Sequence, residues 1–269
     1  MNSIIKIERI LFTETKNYFK ERRRHTSCLG VYVLNITMKL GIIGAMEEEV
    51  AQLKDKMTGL TITTKASMEF YDGLLLGKPV TIVRSGIGKV NAGCCTQILA
   101  DLFHVDCIIN TGIAGSLDAS IDIGDIVLCT DAIQHDVDAV AFGYPLGTIP
   151  RMPVSAFPAD DNLRAKAKEL CEKVNPEIHV HEGRIVTGDQ FIADKAKKDF
   201  IVENFHGMCT EMEGAAIAQA AYNNNLPFLI IRAISDKADN SAQMDYPAFE
   251  RQAIEHTVKL MLAFVEENI

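Results

Sequence analysis

A chain of 269 residues, 48% of them hydrophobic, with 18 Gly and 8 Pro, has the material for one large core rather than a string of small modules. A formal net charge of −9, no Trp and no long basic tract in the main body argue against a nucleic-acid partner held by phosphate contacts, and no run approaches the ~18 apolar residues of a membrane span. The seven Cys show neither CxxC nor His/Cys zinc spacing, so they are expected as reduced, mostly buried thiols in a cytoplasmic protein with no metal.

Residues 1–37 differ from the rest of the chain. They carry seven Lys/Arg against three Glu, a balance of +4 that leaves −13 for the remainder. The apolar run "VYVLNI" near their end has no clean cleavage site, so a secretory signal fits poorly. The stretch reads as an appendage outside the fold, an upstream leader, with a regulatory arm as the alternative. Met38 opens the first convincing strand, and residues 38–269 are read as the working domain.

From Met38 on, Ile/Val-rich runs alternate with amphipathic stretches of helical length, the α/β pattern. Strands are predicted at 40–45, 69–76, 80–84, 106–111, 125–129, 183–186 and 228–234. Helices are predicted at 47–57, 90–103, 160–174, 194–205, 213–223 and 247–267. With no internal repeat or linker in the body, these elements make one three-layer domain.

The first strand runs into "GAMEEEV", three successive carboxylates at a helix start, where acids meet the macrodipole favourably. About 100° separates neighbours on a helix, so the three cannot share an environment. Met46, Val50, Leu53 and Met57 mark the apolar stripe. Glu48 falls opposite it and Glu47 well off it, but Glu49 lies only ~60° from its centre. An inward carboxylate costs free energy unless it is used or paired, and this one sits at a strand's carboxyl end. Glu49 is therefore either a functional acid or a dipole-satisfied surface one.

"SGIGKVNAG" runs G-x-G-x4-G and lacks Ser/Thr after its Lys, so neither nucleotide-loop reading fits. "NTGIAGSL" supplies Gly112 and Gly115, where a ligand can approach the backbone closely. His135 in "QHDVDAVAFGY" has no second His at ligand spacing. "TEMEGAAIAQAA" places two carboxylates before a helix of Gly, Ala and Ile. That helix is thin enough to be buried and to carry acids inward, although a simple helix-start pair is the alternative. "FLIIRAISDKAD" is an apolar strand ending in Ser235 and Asp236, either side chains reaching a crevice or a turn cap, with Arg232 inside it requiring a buried acceptor.

In order, "GIIGAMEEEV", "SGIGKVNA", "NTGIAGSL", "HDVDAVAFGY", "VTGDQFI", "EMEGAAIA" and "RAISDKAD" resemble the 5'-methylthioadenosine/S-adenosylhomocysteine nucleosidase family over residues 38–269. "EME" and "SD" are shared across the wider nucleoside phosphorylase superfamily. "GAMEEEV" is more specific, because it stands where phosphorylases carry a phosphate-binding Gly-Asp-Pro-x-Arg type stretch.

The resemblance implies an αβα sandwich with a central mixed sheet, no cofactor, and hydrolysis of the adenine N9–ribose C1' bond of small adenine thio-nucleosides. Glu49 would deprotonate the attacking water, Glu213 would bind the ribose hydroxyls with Met212 beside it, and Asp236, oriented by Ser235, would protonate adenine N7. Phe191 would stack on the base and Ile192 read its edge. Gly115 and Arg232 are taken with the binding residues. Met46, Ile87 and Tyr246, with Phe142 and Pro150 of a partner subunit, would line the 5'-thio pocket, which implies a homodimer. Adenine leaves poorly as an anion, so an acid can supply ~10²- to 10⁴-fold, and that acid must hold its proton at neutral pH through burial or base contact. A charged Glu49 about 4 Å from phosphate would repel it by roughly 4 kcal/mol per unit charge at an effective dielectric of 20, which favours water as the nucleophile.

One position departs from the family. Members commonly read "TGSAG" where this chain has Ile113, which removes a hydroxyl near the expected sugar and bears on the preference for the 5' substituent. Rival readings are a purine nucleoside phosphorylase, a futalosine-type hydrolase of the same superfamily, and a non-catalytic nucleoside-binding domain.

Overall fold

The computed structural model describes residues 38–239 and 242–267, with the side chains of 243–248 also outside the description. Tyr246 falls among these, so its expected place in the thio pocket lies outside the described residues.

The first strand, β1 (Leu40–Gly44), is followed by α1 (Glu47–Lys54) and then by a meander of β2 (Met57–Lys65), β3 (Met68–Leu75) and β4 (Lys78–Arg84). Helix α2 (Lys89–Asp101) leads to β5 (Cys107–Ser116) and β6 (Ile126–Gln134), and a 3-10 turn at Val140–Phe142 precedes β7 (Ala156–Pro158). Then come α3 (Asp161–Val174), β8 (Val180–Thr187), α4 (Lys195–Phe205), β9 (Cys209–Glu211), α5 (Gly214–Asn223), β10 (Phe228–Asp236) and α6 (Ala242–Glu267).

All ten strands among the described residues belong to one mixed sheet. β1 pairs in parallel with β4 and β5, β5 with β10, β6 with β8, and β8 with β9, while β2–β3, β3–β4, β6–β10 and β5–β9 are antiparallel. Because β10 joins both β5 and β6, strands β5, β10, β6, β8 and β9 form a closed ring, from which β1, β4, β3 and β2 extend as an open wing. The expected central mixed sheet is present, and half of it has curled shut.

Helices α1 and α3 pack on α6, and α2 packs on α5. β5 and β10 are buried at every residue, as strands covered on both faces must be. Each fully buried Ile, Leu or Phe contributes ~1.5 to 3 kcal/mol. A smaller cluster sets Ile201 and Phe205 of α4 against Leu117, Val186 and Ala238.

Helix α1 ends at Lys54, three residues short of the expectation, because Met57 already starts β2. β2 was not among the predicted strands, although Leu60 and Ile62 alternate with Thr, and both of these side chains are exposed. β5 continues through Gly112 and Gly115, where a loop would ordinarily be read, since β10 and β9 supply ladder partners on either side.

Candidate active site

The site lies at the carboxyl ends of β1, β5 and β10, the edge at which α/β sheets place ligands. At the start of α1 the three acids separate as helical geometry requires. Glu47 and Glu48 are exposed, with Glu47 pairing Lys54 at 2.9 Å, and Glu49 is 3% exposed. Glu49 Oε2 accepts the backbone N–H of Ala45 at 2.7 Å and of Met46 at 3.0 Å, and Oε1 accepts that of Ile113 at 3.3 Å. It thus closes half of a capping box around Met46, whose own side chain has no oxygen to complete it. Burial lifts the Glu49 pKa above the usual carboxylate value, opposed by Arg232 and these three amides. When ionised it is a stronger proton acceptor than a surface glutamate.

Gly112 allows this approach. A Cβ there would stand 2.5 Å from Glu49 Oε1 and 3.0 Å from Arg232 Nη1, so carboxylate and guanidinium crowd the space that only glycine leaves empty.

Arg232, inside β10 and 2% exposed, finds the acceptor its burial demands in Glu211 at 2.5 Å and in Asn110 Oδ1 at 2.6 Å. Glu211 Oε2 also accepts the N–H groups of Glu213 and Gly214 at 3.1 and 2.7 Å, and Oε1 accepts the Thr187 hydroxyl. The Thr187 hydroxyl oxygen in turn takes the Ala215 N–H at 2.7 Å. The helix-start reading of the "EME" pair therefore holds for Glu211, which together with Thr187 satisfies donors at the start of α5. Glu213 is left facing the cavity, 6% exposed, with Oε1 accepting the Gly88 N–H at 2.8 Å.

Burial first, then the nearby Glu211 charge, pushes the Glu213 pKa up to about 8. A raised acid pKa means the fold keeps a proton that the unfolded chain has lost. Stability is therefore unaffected below about pH 4.5 and declines as pH rises from there through about 8. Glu213→Gln is expected to flatten that decline, so that the variant's Tm falls less than the wild type's between pH 5 and 8 in paired melts. Parallel slopes would contradict the assignment.

β10 carries a bulge at its end: Ile234 pairs with Ala114 and Asp236 with Gly115, so two residues oppose one. Regular alternation would send Ser235 and Asp236 to opposite faces, whereas here both reach the cavity. Asp236 is 2% exposed, its Oδ2 accepts the Ser235 hydroxyl at 2.9 Å, and its Oδ1 accepts the Ala238 N–H at 2.8 Å. Gly115 makes room for it, since a Cβ there would lie 2.7 Å from Asp236 Oδ1.

These elements enclose a cavity of about 310 Å³. Of the sequence-predicted residues, Glu49, Glu213, Asp236, Met46, Ile87, Gly115, Phe191, Met212 and Ser235 line it. Ile192 lines a small adjoining recess shared with Phe191, Met212 and Asp236. Arg232 does not reach the wall but lies behind it, holding Glu211, so its expected direct contact with substrate becomes a supporting one. Phe142 is 84% exposed and off the wall. Sequence reasoning missed Thr210 and the linking role of Glu211, and Ile113 forms part of the wall. The sequence offered a pair of acids and an in-strand Arg in need of an acceptor, with nothing local to match one to the other. Among the described residues no cluster of His, Cys, Asp and Glu could hold a metal ion, and no Lys or Arg lines the cavity. The described cysteines are all free.

A partly closed mixed sheet with buried acids at its carboxyl edge defines a class, and the family model described as the phosphorylase superfamily matches residues 39–266. Within it, a 5'-methylthioadenosine/S-adenosylhomocysteine nucleosidase of Staphylococcus saprophyticus is 50% identical over 216 residues, 80% of this chain and 93% of its own. The crystal structure of such a nucleosidase from Colwellia psychrerythraea in complex with adenine superimposes with a TM-score of 0.82 at 43% identity, covering 86% of this chain and 96% of that one. A futalosine hydrolase of Helicobacter pylori gives a TM-score of 0.81 at 33% identity, covering 86% of this chain and 99% of that one. The chain belongs to the 5'-methylthioadenosine/S-adenosylhomocysteine nucleosidase family of the phosphorylase superfamily.

Proposed function

We propose that the protein hydrolyses the N-glycosidic bond of 5'-methylthioadenosine and S-adenosylhomocysteine, releasing adenine and the 5-thio-substituted ribose. The observation that carries this reading is the convergence of Glu49, Glu213 and Asp236, each at most 6% exposed, on one cavity of nucleoside size.

In the proposed reaction Asp236 donates a proton to adenine N7 as the C1'–N9 bond breaks and its electron pair passes to the base. Water adds to C1' and its proton goes to Glu49. The ionised Glu49 carboxylate favours positive charge on the departing sugar, and Glu213 holds the ribose hydroxyls. Phe191 and Ile192 take the base, Met212 lies beside the ribose, and Met46 and Ile87 take the apolar remainder. The wall beside Glu49 carries no described cation that would hold phosphate, which supports water over a phosphorolytic nucleophile. The test is adenine release from methylthioadenosine, S-adenosylhomocysteine and futalosine in parallel. A kcat/KM highest on futalosine would overturn the substrate assignment, and no release from any of them would favour a binding domain.

The working unit is proposed to be a homodimer, supported by half-exposed Ile87 and Phe191 at the cavity and by exposed Val90 and Phe142. Residues 1–37 are proposed to be dispensable, supported by a family match that begins at residue 39. A chain starting at Met38 should keep kcat/KM within about twofold, given that exposed changes away from a site are usually near neutral, and should sediment at twice its chain mass. A severalfold loss, or a monomer, would contradict the corresponding reading.

A further inference from the structure

The turn between β4 and α2 serves both halves of the cavity. Gly88, at φ +96°, gives its N–H to Glu213, and the next residue, Lys89, gives its backbone N–H to Asp189 Oδ1 at 2.8 Å. Asp189 lies in the loop after β8, two residues before Phe191 on the cavity wall. Its own N–H goes to Asp136 Oδ2 at 3.0 Å, and Asp136 Oδ1 pairs with Lys89 Nζ at 2.6 Å. Lys89 Nζ also reaches Gln134 Oε1 at 3.1 Å. The loop, the turn and the end of β6 are thus tied in one circuit, in which the Lys89 and Asp136 side chains are each 18% exposed and Asp189 lies at the surface. Gly88 itself is pressed against the circuit, a Cβ there falling 3.1 Å from Asp189 Oδ1.

We propose that Asp189 is a positioning residue: it locks the Phe191 loop onto the same two-residue turn that anchors Glu213, so that base and sugar sites share one fixed point. The proposal rests on the reading of Phe191 as the base-stacking residue. Since Asp189 touches no reacting atom, its loss acts on binding geometry rather than on the chemical step. Backbone donors that meet a charged acceptor make the stronger class of hydrogen bond.

The test compares Asp189→Ala, Asp189→Asn and Phe191→Ala on methylthioadenosine, with melts to verify folding. Asp189→Ala is expected to raise KM about tenfold with kcat within about threefold, the loss of one such bond. Asp189→Asn keeps an oxygen for the Lys89 N–H and should restore KM to within about threefold of wild type, a rescue that a general loss of stability would not give. An unchanged KM in Asp189→Ala, or Asp189→Asn as impaired as Ala, overturns the latch. A loss in Phe191→Ala with none in Asp189→Ala also overturns it, whereas a loss in Asp189→Ala with none in Phe191→Ala overturns the stacking role beneath it.

Discussion

Glu49→Gln is expected to lower kcat for adenine release by at least about 100-fold, the loss of a general base. The geometry sharpens the expectation beyond charge. Three backbone N–H groups, of Ala45, Met46 and Ile113, converge on the two carboxylate oxygens. A glutamine can offer oxygen to only one side, so its NH₂ must face an N–H donor on the other. That mismatch costs on the order of 1 to 3 kcal/mol of stability. A lowered Tm should therefore accompany the lost turnover, yet the protein should still fold. Arg232, deprived of one of the carboxylates that offset its charge, keeps Glu211 and Asn110. Near-normal adenine release from folded Glu49→Gln protein would remove the base role.

Asp236→Asn is expected to cost turnover by a similar factor of at least about 100, for a different reason. The amide oxygen can still accept the Ala238 N–H and the bulge can persist, so the pocket keeps its shape. What disappears is a proton to give to the leaving base. A 5-thioriboside with a 4-nitrophenolate leaving group needs no such proton, so on it Asp236→Asn should lose far less than on methylthioadenosine. Glu49→Gln should remain impaired on both. Equal losses for Asp236→Asn on the two substrates would contradict its role as an acid.

Much of the site was legible in the amino-acid order. Helical geometry alone singled out Glu49 from its two neighbours, because a 100° step leaves one of three consecutive acids close to the apolar stripe. The apolar run of β10 likewise exposed Arg232 as needing an acceptor. The acceptor itself was not readable. Glu211 and Arg232 are 21 residues apart, and their meeting depends on β9 pairing with β5 beside β10. β9 is three residues long, too short for any periodicity to mark it. Nor did alternation allow for both Ser235 and Asp236 on the wall, since only a register shift between β10 and β5 puts them there. Gly112 and Gly115 were read as places where a ligand comes close, whereas the groups that crowd them here are the protein's own, Glu49 and Arg232 at the first and Asp236 and Ala238 at the second. The curling of the sheet arises from β10 pairing on both edges, a long-range choice that local sequence does not encode.

In the proposed reaction Glu49, set between backbone donors and backed by a guanidinium, is the group that commits the site to water. The direct measurement is to incubate the protein with methylthioadenosine, with and without saturating phosphate, and to identify the sugar by mass spectrometry. Free 5-methylthioribose formed at the same rate in both is the predicted result. A 1-phosphorylated sugar, or release that depends on phosphate, would contradict it.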